Sequence, residues 1–327
     1  MGAARYLAGM EVVRWGIVST GKIAHKFARD FRFVEEGELV AVASRTEGAA
    51  RRFAEEFKIP SAHASYEALF HDDRVDAVYV ATPHTLHASN TIDAIRAGKH
   101  VLCEKPITTA PDDCRALFDR AADTGKFLME ALWTYFLPAV RRAKAWVDTG
   151  RIGAIKHVKA DFGYPVDFDP ESRLYAPPLG GGAVLDMGLY PIAIAWLFLA
   201  QDPSEVHAFV RRAPTGVDDD VVMVFNYPDA VATLATSFRC RLQNAAYIIG
   251  EEGYIAIPEF WRARSCILYR LDKEVDRFED DRESLGYDFE TRAAIQDIRA
   301  GKSQSDVVPW STSLKIQEHM ARVLKHL

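Results

Sequence analysis

From Val12 to about Ala131, short apolar runs alternate with stretches of helical period, and few folds accommodate that alternation. The runs are Val12–Ser19, Leu39–Ser44, Ala77–Ala81, His100–Glu104 and Phe127–Ala131, each of strand length and rich in Val, Ile or Ala. Between them lie amphipathic segments such as Glu47–Lys58, where Ala50, Phe53, Ala54 and Phe57 share one face. Strand–helix alternation implies βαβ units and a doubly wound parallel sheet. Right-handed crossovers then bring every strand's carboxyl end to one edge, where ligands bind. Thr82 is expected to cap the helix that follows Ala77–Ala81, with Pro83 as its first residue and Gly98 as its stop. That places His84 and His87 in the first turns of a helix at the ligand edge.

After Leu137-Pro138 the pattern changes. A helix, Ala139–Thr149, leads into alternating segments at Ile155–Gly163, Glu205–Arg211, Val221–Tyr227, Ala230–Phe238 and Ala246–Gly250. They predict a large, open, mainly antiparallel sheet. Ala183–Ala200 reads as one long apolar helix, and Gly286–Ala300 and Ser311–Leu324 as closing helices. The expected architecture is α/β in two domains. Residues 1–137 bind a dinucleotide, and residues 138–327 form an α+β domain for substrate binding and dimerisation. An open sheet face favours a homodimer.

Bulk properties narrow the class. A chain of 327 residues exceeds one ordinary core. A formal net charge of -6 argues against a general nucleic-acid binder. The apolar run Ile192–Ala200 is far short of the roughly 20 residues that span a bilayer, and Met1–Arg14 lacks the pattern of a signal peptide. Cys103, Cys114, Cys240 and Cys266 show neither CxxC nor metal-finger spacing, so they read as reduced thiols of a cytoplasmic protein. Met10 is a candidate native start, because the fold pattern begins only at Val12.

The first strand-to-helix turn carries the cofactor signal. In Gly16-Ile-Val-Ser19-Thr20-Gly21-Lys22-Ile23-Ala24, a dinucleotide pyrophosphate would meet backbone N–H groups and a helix dipole. Ser19, Gly21 and Ala24 stand at the three glycine positions of the Rossmann fingerprint, so the first glycine is replaced. The second strand ends Ala43-Ser44-Arg45-Thr46 without the carboxylate that usually holds the NAD ribose. Arg45 could pair with a 2′-phosphate and Ser44 could donate to it, which favours NADP over NAD. The alternative is a solvated arginine at a strand end.

Two further segments are distinctive. One is Ala81-Thr82-Pro83-His84-Thr-Leu-His87 followed by Cys103-Glu104-Lys105-Pro106; the other is Gly180-Gly-Gly-Ala-Val-Leu-Asp186-Met-Gly188-Leu-Tyr190-Pro191. Together they resemble the Gfo/Idh/MocA oxidoreductase family over nearly the whole chain. Tyr190 and the stretch Glu130-Ala-Leu-Trp133-Thr-Tyr-Phe-Leu-Pro138 resemble the branch containing dimeric dihydrodiol dehydrogenase, glucose–fructose oxidoreductase and NADP-dependent xylose dehydrogenases. The resemblance implies hydride transfer between NADP and an aldose, polyol or trans-dihydrodiol. It also implies a catalytic set of Lys105, Tyr190 and Asp186. Ser19, Thr20, Gly21, Lys22, Ile23, Ser44, Arg45, Thr82, Pro83, His84, His87, Glu104 and Lys105 would lie around the cofactor.

The chemistry is consistent with that assignment. Oxidising a carbinol needs a group that takes the hydroxyl proton. A free tyrosine, with its pKa near 10, is a poor base at neutral pH, and a neighbouring ammonium favours its phenolate. Lys105 would serve Tyr190 in this way. Asp186 stands four residues before Tyr190, on the same face of a continuous helix, as a proton carrier or a structural partner; Pro191 could bend that helix. Taken singly, a lysine before proline is usually a loop charge and a tyrosine beside an apolar helix is usually core. Trp133 and Tyr175, with Phe136, Phe260 and Trp261, are candidates to stack on a substrate ring alongside Asp186 and Tyr190, although aromatics so placed are more often core. His84 and His87 lack a third ligand partner in the sequence, so no metal is expected. A non-catalytic nucleotide sensor is the competing class, and it would have no need of both Lys105 and Tyr190. An enzyme with tightly held cofactor that oxidises one sugar while reducing another is a third.

Overall fold

The computed structural model describes residues 12–327, so Met10 lies outside the described part. The first unit is built on β1 (Val13–Val18), β2 (Gly37–Ala43), β3 (Ser61–His63), β4 (Ala77–Val80), β5 (His100–Glu104) and β6 (Leu128–Ala131). They form one parallel sheet in the order β3-β2-β1-β4-β5-β6. The connecting helices are α1 (Lys22–Asp30), α2 (Glu47–Phe57), α3 (Tyr66–Phe70), α4 (His87–Arg96) and α5 (Pro111–Ala122). The central strands are apolar on both faces, with Trp15, Ile17, Val78 and Tyr79 fully buried, as a sheet covered by helices on both sides requires. The strand order reverses between β1 and β4, which opens a crevice at the carboxyl ends.

The expected cap at Thr82 does not form. Pro83, at φ -58° and ψ 151°, is extended and precedes a 3-10 turn, His84–Leu86, and α4 begins only at His87. The Thr82 hydroxyl instead accepts a hydrogen bond from Asn90 Nδ2 at 3.1 Å. Gly98, at φ +82°, ends α4 as expected.

The second unit opens with α6 (Pro138–Asp148) and carries β7 (Ile155–Gly163), α7 (Leu189–Leu199), β8 (Glu205–Arg212), β9 (Asp218–Asn226), β10 (Val231–Ser237), β11 (Ala245–Gly250), β12 (Tyr254–Pro258), β13 (Ser265–Arg270) and β14 (Lys273–Glu279). Its eight-stranded sheet runs β14-β13-β12-β11-β7-β10-β9-β8. β7 and β10 are parallel and the other pairs antiparallel. The last three strands were absent from the sequence expectation. The anticipated long helix divides into a π-turn, Val184–Gly188, and α7. Pro191, in the first turn of α7, has no N–H to donate to Met187, and the backbone ahead of it takes the wider turn. Pro177–Leu199 is long and apolar enough to cross a membrane, with a mean hydropathy of 1.7, but 78% of its apolar window is buried inside the protein. Its apolarity is therefore explained by packing.

A single boundary at 137/138 does not describe the chain. Glu283–Trp310, containing α8 (Tyr287–Arg299), belongs to the first unit, and the closing helix α9 (Trp310–Leu324) lies almost wholly in the second, with Thr108–Asp112. The reason is a set of long-range bonds. The buried carboxylate of Asp30, at the end of α1, accepts the backbone N–H groups of Leu285, Gly286 and Tyr287 at 2.9, 2.8 and 3.0 Å, and so caps α8. Gly37 leaves room for Ile295 and Phe31 to close over β2. Leu128 of β6 donates to Ser303 O, and Trp310 Nε1 donates back to Leu128 O.

Candidate active site

The cofactor edge of the first unit is shaped by Ser19. It occupies the left-handed region at φ +99°, which explains why a glycine is the usual occupant. Its N–H is held by Ala43 O at 2.9 Å and its hydroxyl accepts the Gly21 N–H at 3.3 Å, which offset the strain. The Thr20 hydroxyl donates to Ser44 Oγ at 3.4 Å, tying the ends of β1 and β2 together. Gly21 is the N-cap of α1, Lys22 and Ile23 are its first residues, and no side chain caps it. That leaves the helix end suited to an anion. Ser44 is buried and Arg45 is exposed. Tyr66, at the start of α3, lies beside Ser19 and feels the charge of Arg45; burial raises its phenol above the ordinary value while these two neighbours pull it down. The sequence reading missed Tyr66.

The ends of β4, β5 and β6 are held by buried polar groups. His87 is 1% exposed, with Nδ1 2.7 Å from Pro106 O and Nε2 2.8 Å from Thr82 O. Each ring nitrogen thus faces a backbone carbonyl, and the neutral ring donates to one of the two. The ring thereby links the Thr82-Pro83 loop to the loop after β5. His84 is buried beside it, the ring centroids 5.7 Å apart. Among the described residues no group of three or more His, Cys, Asp or Glu could hold a metal.

Glu104 accepts the Tyr79 hydroxyl and, at 3.1 Å, the Lys105 N–H, so it fixes the backbone of Lys105 at the sheet edge. Burial, with Glu104 and Glu290 adding to it, pushes the Tyr79 phenol far up. Glu290 of α8 is fully buried, and its carboxyl is raised well above the usual range by burial and by Glu104. Its only sequence signal was an acid on the face that carries Tyr287, Ala294 and Ile295. Glu130 holds the next loop by accepting Ile107 N–H at 2.9 Å. Trp133 is buried and stacks face to face on Tyr287, ring centroids 4.5 Å apart.

In the second unit Asp186 lies in the π-turn and Tyr190 in α7, so they do not share the face of one regular helix. Arg173 donates to Asp186 Oδ1 at 3.0 Å. The Tyr190 ring meets the edge of Phe162 at 5.4 Å, and Phe162 in turn stacks on Trp261 at 4.3 Å. Tyr135 Oη donates to Ala193 O at 2.6 Å, fastening α7 one turn further on. Tyr175 and Phe260 are core rather than pocket wall. The Tyr175 hydroxyl donates to Val166 O at 3.0 Å and its ring packs on Phe168 and Phe238; Phe260 is fully buried. Phe136 is also buried. The glycine run serves packing too. A Cβ on Gly181 would stand 2.9 Å from Leu174 O, and one on Gly182 only 2.3 Å from Asp218 Oδ1.

Comparison with known proteins agrees with the fold. Residues 13–132 match an oxidoreductase family with an NAD-binding Rossmann fold, and residues 140–256 match the GFO/IDH/MocA C-terminal domain. Trans-1,2-dihydrobenzene-1,2-diol dehydrogenase of Mus musculus is 33% identical over 96% of both chains, and that of Homo sapiens 31% over 96% of both. A 3-ketoreductase from Actinomadura kijaniata, solved with NADP and TDP-benzene, superimposes with a TM-score of 0.86 at 29% identity, covering 97% of this chain and 98% of that one. Aldose-aldose oxidoreductase from Caulobacter crescentus, at 23% identity, TM-score 0.89 and 97% coverage of both chains, shares the fold.

The loop geometry generates a test. A Cβ on Gly21 would meet only Ser19 Oγ, at 3.6 Å, so the protein itself has room for a side chain there. Gly21→Val is expected to leave the circular dichroism spectrum intact and to abolish NADPH binding by fluorescence titration, because the branched side chain takes the space of the pyrophosphate. Undiminished binding would place the nucleotide elsewhere.

Proposed function

Because this chain belongs to the Gfo/Idh/MocA family of oxidoreductases, we propose that it is an NADP-dependent enzyme acting on the hydroxyl or carbonyl carbon of a sugar, polyol or trans-dihydrodiol. The observation that carries this reading is the end of β5, where Glu104 fixes Lys105 at the ligand edge of a dinucleotide sheet. Full-length likeness to the dihydrodiol dehydrogenases supports the substrate class. Support for NADP comes from the end of β2, where Ser44 and the exposed Arg45 stand without a carboxylate beside Tyr66, and from the NADP held by the similar ketoreductase.

The residues fit the cofactor: the uncapped start of α1 suits the pyrophosphate, and Arg45 suits a 2′-phosphate. Bound NADP would supply the hydride acceptor. In the oxidation, Tyr190 takes the substrate hydroxyl proton at its phenolic oxygen, and in the reduction it returns it. Lys105 favours the phenolate and orients the hydroxyl. Asp186, held by Arg173, serves to orient the substrate as a hydrogen-bond acceptor. Trp133, stacked on Tyr287, offers a fixed aromatic surface toward a substrate ring.

We also propose a homodimer through the outer face of the second sheet. Strand register sets Phe209, Val222 and Ala235 side by side across β8, β9 and β10, with Phe209 79% and Val222 50% exposed. Such an apolar row is suited to self-complementary pairing about a two-fold axis.

Three measurements test these assignments. NADP is expected to bind more tightly than NAD, and Arg45→Ala to shrink the difference by about ten- to a hundredfold, the equivalent of about 1.5–3 kcal/mol for a hydrogen bond to a charged group; equal affinities in the parent would sink the NADP assignment. Tyr190→Phe keeps the ring against Phe162 and deletes the proton. In single-turnover hydride transfer on a panel of aldoses, polyols and dihydrodiols the rate is expected to fall about 10²–10⁴-fold with NADPH affinity retained. A parental rate and pH profile would show that the proton leaves by another route. Phe209→Asp is expected to yield a monomer by light scattering where the parent is a dimer; a parent that is monomeric, or a variant that stays dimeric, removes this face as the interface.

A further inference from the structure

Asp218, the first residue of β9, is 2% exposed, and its Oδ2 accepts the Val184 N–H at 2.6 Å. The Ala183 N–H lies close enough to favour the same carboxylate's charged form. Ala183 and Val184 open the π-turn that carries Asp186 and runs on into α7 and Tyr190. Gly182, at φ +125°, is the residue against which the carboxylate packs, and a Cβ there would lie 2.3 Å from Oδ1. At the other end of the turn Gly188 abuts Thr236 Cγ2 of β10, 3.0 Å from where its Cβ would lie. The turn is therefore wedged between β9 and β10, with one buried carboxylate holding the N–H of its first residue, Val184.

We propose that Asp218 is a positioning residue for the reaction, its carboxylate setting the start of the π-turn and through it the placement of Asp186 and Tyr190. The inference rests on the reading of Tyr190 as the proton carrier. Helix-end N–H groups are held more firmly by an anion than by a neutral group. Burial pushes the Asp218 carboxyl up to about 6, against the pull of its N–H partners. The charged groups around it are already engaged: Asp219 accepts from Arg239 at 2.9 Å, and Asp186 on the turn accepts from Arg173. Tyr175, which feels both Asp219 and Arg239, is held neutral by burial. Asp218 thus changes charge near pH 6, and its hold on the turn weakens below that value.

Stability runs the other way. A carboxyl raised on folding from 3.8 to about 6 stabilises the fold most below the lower value and loses that contribution as pH rises through the upper one. A plain structural cap would make activity and stability fall together on acidification. Here the contribution of Asp218 to activity falls as its contribution to stability grows.

The test compares the parent, Asp218→Asn and Asp218→Ala from pH 5 to 8.5, with Tyr190→Phe measured alongside. Asparagine keeps an oxygen for Val184 but does not titrate. The parent kcat is expected to show an acid limb near pH 6 that Asp218→Asn lacks. Denaturant unfolding should show the parent gaining stability relative to Asp218→Asn as pH falls toward 5. Asp218→Ala is expected to lose about ten- to a hundredfold in kcat at pH 8 with NADPH affinity unchanged, the scale of a misplaced catalytic group. An acid limb that persists in Asp218→Asn, or a parental kcat in Asp218→Ala, overturns the proposal; if Asp218→Ala does not fold, the Asp218→Asn profile decides alone. A parental rate in Tyr190→Phe would instead sink the tyrosine reading on which the proposal rests, whereas a depressed Tyr190→Phe rate with an unaltered Asp218→Asn profile would sink only the role of Asp218.

Discussion

β1 hydrogen-bonds to a parallel partner on each side, β2 along Val13–Val18 and β4 along Trp15–Val18, and the first unit is organised around that double pairing. Parallel neighbours require crossovers, crossovers require helices, and helices on both faces require a strand that is apolar throughout. Trp15 and Ile17 meet that requirement with no exposed surface. The polarity of β1 also decides where chemistry can occur. Its carboxyl end feeds Ser19 and Gly21 to the same edge that receives Arg45 from β2, Thr82 from β4 and Lys105 from β5. The gathering of these residues at one edge follows from strand direction rather than from any one side chain.

Buried carboxylates are the recurring device by which the loops around this framework are held. Asp30 caps α8, Glu104 holds the Lys105 backbone, Glu130 holds Ile107 and Asp218 holds Val184. Each lies at most 6% exposed. An anion removed from water is costly unless it gathers hydrogen bonds, and backbone N–H groups at loop and helix starts are the donors with no other local partner. The acid and the loop therefore satisfy one another, and the loop acquires one conformation. Glu290 is the exception. Its carboxyl oxygens have no hydrogen-bond partner among the described residues, and its environment drives it toward the neutral form.

How much of this was legible in the sequence depended on range. β1, β2, β4, β5 and β6 announced themselves because each is a short apolar run between helical periods. β14 did not, because Lys273–Glu279 is a largely exposed strand in which Val275 and Phe278 stand among charges. β12 and β13 stand outside the repeating strand–helix pattern that made β4 and β6, only four residues each, legible. The residues at the carboxyl edge of the first sheet stand on motifs in its strand-to-helix turns. The long-range acceptors were not legible, since Asp30 holds N–H groups 255 to 257 positions away at the start of α8 and Asp218 one 34 positions away. His87 and Tyr175 illustrate a related limit: sequence shows that a polar group exists, but not which backbone carbonyl it faces.

The return of Glu283–Trp310 to the first unit bears on how such a protein can be divided or recombined. A fragment ending at Leu137 would contain the whole parallel sheet yet leave Asp30, Phe31 and Gly37 facing an absent helix. The nucleotide module is thus not a detachable N-terminal block. Grafting it onto another substrate module would mean carrying two separated pieces of chain, and a circular permutation that brought Glu283 close to the N-terminus would suit it better than truncation. Exchange between relatives at a single junction near residue 137 would always pair the sheet of one parent with the α8 of the other, so the surfaces of α1 and α8 must change in concert.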